Sequence, residues 1–167
     1  MPDLATGAVV FVTGGASGIG RAAAQQFSAE GAAHVVVADL DIDGAGRTVA
    51  SLAGLGSSVE LDVTDDAAVA AAVDDLVAEH GRLDIAFNNA GVNDVPHAFH
   101  DLDAESWDRM IRVNLSSVFV CMKHELRHMA AAGSGVIVNT SSGAGVVAAP
   151  GLPHYTAAKH GVVGLTK

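Results

Sequence analysis

The sequence predicts an α/β protein: a doubly wound parallel sheet of at least five strands with helices on both faces. Three observations carry this. Short β-branched runs alternate with helix-forming segments five times along the chain, and such βα repeats build parallel sheets with right-handed crossovers. Half of the 167 residues are hydrophobic but only 4% are aromatic, so Ala, Val, Gly and Leu fill the core and let helices lie close on a sheet. Nineteen glycines against four prolines, with no linker, repeat or low-complexity tract, suit a single domain over residues 1–167. A chain of this size buries enough surface to fold without a staple, and the single Cys121 could not close an internal disulfide.

The elements follow in order. Ala8 to Thr13 (AVVFVT) reads as a buried strand running straight into Gly14-Gly15, and Ile19 to Glu30 as a helix stopped by Gly31. The alternation repeats as strand His34 to Ala38 with helix Gly44 to Ala53, and strand Ser58 to Leu61 with helix Asp65 to Glu79. Thr64-Asp65-Asp66 supplies an N-cap and acids where free amides and the helix dipole want them. Strand Leu83 to Phe87 precedes one long helix, Ala104 to Ala132; strand Val136 to Thr140 precedes a helix from about Tyr155 to the end.

A net charge of −10 repels a phosphate backbone and an anionic membrane alike, so no nucleic acid and no membrane are expected as partners. No apolar run approaches the ~20 residues of a spanning helix. The Met1-Pro2-Asp3 start lacks a basic stretch, and the lone cysteine suits a reducing compartment, so the expected location is cytoplasmic.

Chemistry begins at the first βα turn, Thr13 to Gly20, where Gly14, Ser17, Gly18, Ile19 and Gly20 form a glycine-rich turn between strand and helix. Such a turn is tight, lets backbone approach a pyrophosphate, lets helix and strand pack closely, and aims a helix N-terminus at the anion. Asp39 closes the second strand 19 positions beyond Gly20, the offset at which an acid accepts hydrogen bonds from an adenosine ribose. A 2′-phosphate there would be repelled, and neither Ala16, Ser17 nor Leu40 to Asp43 offers an arginine, so NAD is expected over NADP. The competing reading is that Asp39 only caps a loop. Tyr155 and Lys159 are i and i+4 on one helix and share a face, and a cation beside a phenol favours the phenolate. Tyr155 is therefore a candidate general acid/base, against the plainer reading of an amphipathic residue at a helix start.

With these in hand, six motifs in order identify a resemblance: Thr13 to Gly20, Asp62-Val63, Asn88-Asn89-Ala90-Gly91, Asn114, Asn139 to Ser142, and Tyr155-Thr156-Ala157-Ala158-Lys159. The chain resembles the classical short-chain dehydrogenases/reductases from end to end. The resemblance implies a Rossmann-like, NAD-dependent oxidoreductase that interconverts a secondary alcohol and a ketone. It implies Asn114, Ser142, Tyr155 and Lys159 as catalytic residues: Tyr155 exchanges the proton, Ser142 bonds the reacting oxygen, Lys159 also holds the nicotinamide ribose, and Asn114 anchors a relay water. It further implies that Asp62 and Val63 line the adenine pocket, that Asn89 meets the adenosine through its backbone, and that Asn88 braces the fourth strand. The long helix and the Tyr155 helix would pair across subunits in a homo-oligomer, a dimer or tetramer. Members of the family continue past this helix with further strands and a substrate-closing segment, so the fifth strand is expected as an open edge. A non-catalytic dinucleotide-binding or interaction module is the alternative.

Two other motifs compete. His124-Glu125-Leu126-Arg127-His128 spells the H-E-x-x-H of a zinc peptidase, but no third ligand follows at the required spacing, and the expectation is no metal and two surface histidines on a polar helix face. Asp39 to Gly44 opens like a calcium loop, yet its twelfth position is Ala50. Cys121 is expected in the core or at an interface.

Overall fold

The computed structural model describes residues 5–167, so the reading of Met1-Pro2-Asp3 falls outside the described residues. These residues form a parallel sheet of β1 (Val9–Thr13), β2 (His34–Asp39), β3 (Gly56–Glu60), β4 (Ile85–Asn88) and β5 (Val136–Asn139), in the order β3-β2-β1-β4-β5. The helices are α1 (Gly18–Ala29), α2 (Ile42–Val49), α3 (Asp66–His80), α4 (Ala104–Ile111), α5 (Ser117–Ala132) and α6 (Pro153–Thr166). Strand order reverses at β1, which pairs with β2 on one side and β4 on the other, so the helices following β1 and β4 lie on opposite faces of the sheet and a crevice opens at the strands' C-terminal ends.

Alternation along the strands divides the core in two. Val10, Val12, Val35 and Val37 point to the face covered by α1 and α2, where Ala24 and Ala45 let the helices sit close. Val9, Phe11, Val36 and Ala86 point to the opposite face and meet Val69, Val73 and Leu76 of α3 and Cys121 and Met129 of α5. Cys121 is thus a core residue, and burial raises its thiol pKa. The edge strand β5 is only half covered: Val136 and Val138 are 56% and 44% exposed. Among the described residues no helix is long and apolar enough to cross a membrane.

Several boundaries shift by about two residues, and two departures among the helices have a visible cause. The second helix starts at Ile42 because the Asp41 carboxylate caps it, accepting from the Gly44 amide at 2.9 Å, and it ends by Ala50. The expected single helix from Ala104 to Ala132 is broken by a π turn, Arg112–Ser116, between α4 and α5. The cause is Asn114, whose Nδ2 donates at 3.3 Å to the Met110 carbonyl, the acceptor its own amide would use in an α-helix.

Candidate active site

A cleft of about 850 Å³ opens at the C-terminal ends of the strands, and its walls include Gly14, Ser17, Gly18, Ile19, Asp39, Asp62, Val63 and Asn89. Gly14 sits at φ 66°, and a Cβ there would lie 2.8 Å from the Ala90 Cα, so glycine is what lets the turn after β1 press against the turn after β4. Gly20 is buried behind the turn rather than on the cleft wall, and a side chain there would overlap the Gly14 carbonyl oxygen, which fits the helix-on-strand packing expected of the turn's glycines. Its work is close packing of helix on strand. Asn89 locks the same junction, donating from Nδ2 to the Gly14 carbonyl at 3.2 Å while its amide donates to Thr13 Oγ1 at 3.1 Å.

Asp39 lines the cleft and also orders its loop. Its Oδ2 accepts from the Ala16 amide at 2.9 Å and its Oδ1 from the Asp41 amide at 3.0 Å, which leaves each oxygen a further acceptor position. Asp62 likewise accepts from Thr64 N and Oγ1 at 2.8 and 2.7 Å. The donor and acceptor set suits a dinucleotide: an open glycine turn at the N-terminus of α1, a carboxylate at the tip of β2, and the apolar Val63 and Ile19 on the walls.

The four expected catalytic residues stand on segments that converge on α6. Lys159 is buried, donates at 2.9 Å to the Thr140 carbonyl, and lies 5.7 Å from the Tyr155 ring centroid, and burial lowers its pKa. The Ser142 turn is fastened to the same helix by Ser141 Oγ, which donates to the Lys159 carbonyl at 3.0 Å, and Ser142 Oγ accepts from the Ala144 amide. Asn114 is buried on the π turn, which meets α6 where Leu115 packs on Gly161, and its Oδ1 accepts from the Val92 amide at 3.1 Å. Tyr155, Lys159, Ser142 and Asn114 are outside the walls of the large cleft, and among the described residues no hydrogen bond joins their side chains directly.

The H-E-x-x-H helix corrects one expectation. His124 and Glu125 are buried rather than on a surface face. His124 Nε2 meets Asp66 at 3.1 Å and His128 Nε2 meets Asp74 at 2.6 Å, both on α3, whereas Glu125 turns into the core and accepts from Asn88 Nδ2 at 2.9 Å. Both histidines therefore tie α5 to α3, and Asn88 also reaches Asn139 Oδ1 at 3.1 Å, bracing β4 against β5. Hydrogen bonds from His128 and Arg127 hold Asp74 below the usual carboxylate range, and those from Lys123 and His124 do the same to Asp66.

Sequence reasoning missed Arg109, Arg112 and Val113, which also line the cleft. Their spacing across the end of α4 and the π turn carries no motif; only an i, i+3 arginine pair just before Asn114 could have flagged them.

Comparison with known proteins agrees with this architecture. The family model described as short chain dehydrogenase matches residues 8–167. The chain is 45% identical over 162 residues to cis-4-hydroxycyclohexanecarboxylate dehydrogenase of Sinomonas cyclohexanicum, covering 95% of this chain and 64% of that protein. It is 40% identical to cyclohexanol dehydrogenase of Acinetobacter sp. (strain SE19), with the same shares of 95% and 64%. The solved structure of carveol dehydrogenase from Mycobacterium avium in complex with NAD superposes with a TM-score of 0.92 at 34% identity, covering 99% of this chain and 65% of that one. The chain thus spans a little under two thirds of the length of these relatives, and it belongs to the short-chain dehydrogenase family.

Proposed function

We propose that this chain is the cofactor-binding and proton-transfer core of an NAD(H)-dependent oxidoreductase that interconverts a cyclic secondary alcohol and its ketone. The observation that carries this reading is the carboxylate of Asp39 on one wall of a cleft whose other walls are the glycine turn and the Asp62-Val63 and Asn89 loops. The buried Lys159 beside the Tyr155 ring supports the chemistry. The substrate class follows the names of the two relatives, a hydroxycyclohexane acid and cyclohexanol dehydrogenase.

In this reading Gly14, Ser17, Gly18 and Ile19 hold the pyrophosphate end, Asp39 accepts from the adenosine ribose, and Asp62, Val63 and Asn89 enclose the adenine. The bound nicotinamide supplies the hydride donor or acceptor. Tyr155 gives its hydroxyl proton to the carbonyl oxygen, or takes the alcohol's proton in the reverse direction, and Ser142 Oγ donates to that oxygen. Lys159 holds positive charge beside the tyrosine ring and bonds the nicotinamide ribose, and Asn114 orients the water that returns the proton to solvent.

The test is NADH binding by calorimetry together with hydride transfer from a panel of cyclic secondary alcohols. Tyr155→Phe should keep NADH affinity and lower turnover at least ~100-fold, as loss of a general acid/base does. A second reading is a dinucleotide-binding module without turnover; NADH binding with no hydride transfer under any alcohol would establish it.

A further inference from the structure

We propose that the segment Gly91 to His97 is a strap that sets the spacing between Asn114 and Tyr155, with Asp94 and His154 as its clasp. The proposal rests on the reading that Asn114 and Tyr155 serve one reaction, and it names positioning residues that the family motifs do not include.

The strap is held at both ends. At its start, the Asn114 Oδ1 accepts from the Val92 amide at 3.1 Å, and a Cβ on Gly91 would stand 2.7 Å from that same oxygen, so strap and π turn are in contact. At its far end the His97 amide donates at 2.8 Å to the Gly151 carbonyl, and Pro96 packs on Gly151, just ahead of α6. Between them Asp94 Oδ2 lies 3.0 Å from His154 Nε2. A carboxylate only accepts, so His154 donates from Nε2, and this fixes its tautomer. His154 is fully buried and is the residue immediately before Tyr155. Any rotation of its backbone carries the Tyr155 ring with it.

The start of α6 needs such a clasp. Its cap position is Leu152, with no side-chain cap hydrogen bond, and the first turn holds no acidic residue. Pro153 opens the helix without an amide of its own, but with no side-chain cap and no acid in the first turn the dipole there is uncompensated and the turn is prone to fray. Asp94 brings from another segment the negative charge that this turn lacks. The hydrogen bond from His154, with a second from the Val95 amide, holds the Asp94 carboxyl below the usual carboxylate range, so the clasp is charged at neutral pH. His97 Nε2 stands 3.4 Å from the same oxygen, outside hydrogen-bond geometry, and adds the smallest share to the lowering of the Asp94 carboxyl, so its amide is the stronger contact.

Tyr155 is the chain's single tyrosine, so its ring resonances are assigned without ambiguity and its position is read by NMR without any turnover. The unmutated chain should show nuclear Overhauser contacts between the Tyr155 ring and the Lys159 side chain. Asp94→Ala should lose them. Asp94→Asn should keep them, because an amide oxygen still accepts from His154, and His154→Phe, which fills the same volume without a donor, should lose them as Asp94→Ala does. His97→Gln should leave them unchanged. Contacts that persist at full strength in both Asp94→Ala and His154→Phe would overturn the clasp. In the unmutated chain, where no variant needs to fold, the Thr156 amide that bonds the Leu152 carbonyl at 2.9 Å should exchange with solvent as slowly as amides in the middle of α6. Exchange ~10-fold faster or more, the behaviour of a fraying end, would equally overturn it. NADH binding to the same variants reports separately on the function: loss of the ring contacts in a chain that never binds NADH would support the strap and refute the oxidoreductase reading.

Discussion

At the scale of single residues, the most consequential side chain is Asp39, because it does two things at once. It orders its own loop through the Ala16 and Asp41 amides and still presents acceptor capacity to the cleft, so the two readings its sequence position allowed, ribose acceptor and loop cap, are compatible. If it repels a 2′-phosphate, the unmutated chain should bind NADH more tightly than NADPH, and Asp39→Ala should shrink that gap by about 1 to 3 kcal/mol, the range for lost charged hydrogen bonds. Calorimetric titrations with both cofactors measure this, and equal affinities in the unmutated chain would remove the argument. The glycine turn, Asp39 and the Tyr155-Lys159 pair were legible because their chemistry is tied to fixed offsets from strand ends. Gly20 was legible in kind: the motif predicts both a pyrophosphate approach and close helix–strand packing for the turn's glycines, and the approach of α1 to the Gly14 carbonyl assigns Gly20 to the packing.

At the scale of elements, α5 carries the clearest case of a pattern that misleads. H-E-x-x-H places its three polar residues within one turn of helix, and sequence cannot say which neighbours they will meet. In the fold, two point to carboxylates on α3 and the third points inward to Asn88 on β4. The π turn was equally hidden, since one extra residue in a turn barely disturbs an apolar periodicity over 29 positions, Ala104 to Ala132. The buried Glu125 has a measurable consequence. Burial pushes its carboxyl from 4.5 up to about 7, with the Asn88 hydrogen bond opposing. Between pH 4.5 and about 7 the folded chain keeps a proton that the unfolded chain gives up, so stability from this site is full below 4.5 and is lost as pH rises through about 7. The loss amounts to about 3 kcal/mol. Glu125→Gln keeps an acceptor for Asn88 Nδ2 and removes the titration. It should therefore match the unmutated chain in denaturant unfolding at pH 4 and exceed it by up to about 3 kcal/mol at pH 8. A parallel pH dependence in both proteins would place the carboxylate in a better solvated environment than the structure gives it.

For the whole molecule, two surfaces decide how it meets others. On the first, Phe119 and Leu165 are 53% and 38% exposed beside Leu115, Gly161 and Gly164, forming an apolar strip across the junction of α5 and α6. If these helices pair across subunits, Phe119→Glu should shift any oligomer seen in sedimentation toward monomer. The second surface is the cleft itself. A chain of net charge −10 repels an anionic dinucleotide at long range, yet among the described residues lining the cleft Arg109 and Arg112 are cations, and neither forms an ion pair or hydrogen bond there. Two guanidinium groups without a carboxylate partner among the described residues offset Asp39 and Asp62 in the same cleft and offer an anionic dinucleotide a local attraction. Their contribution should act mainly on association, because rim charges steer encounter more than they hold the bound state. Arg109→Gln combined with Arg112→Gln should therefore slow NADH association by about tenfold at low ionic strength while changing dissociation little. Raising salt should erase the difference as the screening length falls to about 10 Å at 0.1 M. Stopped-flow binding across a salt series separates the possibilities: a defect confined to dissociation, or one that survives high salt, would mean that the arginines hold the cofactor by direct contact instead of guiding it in.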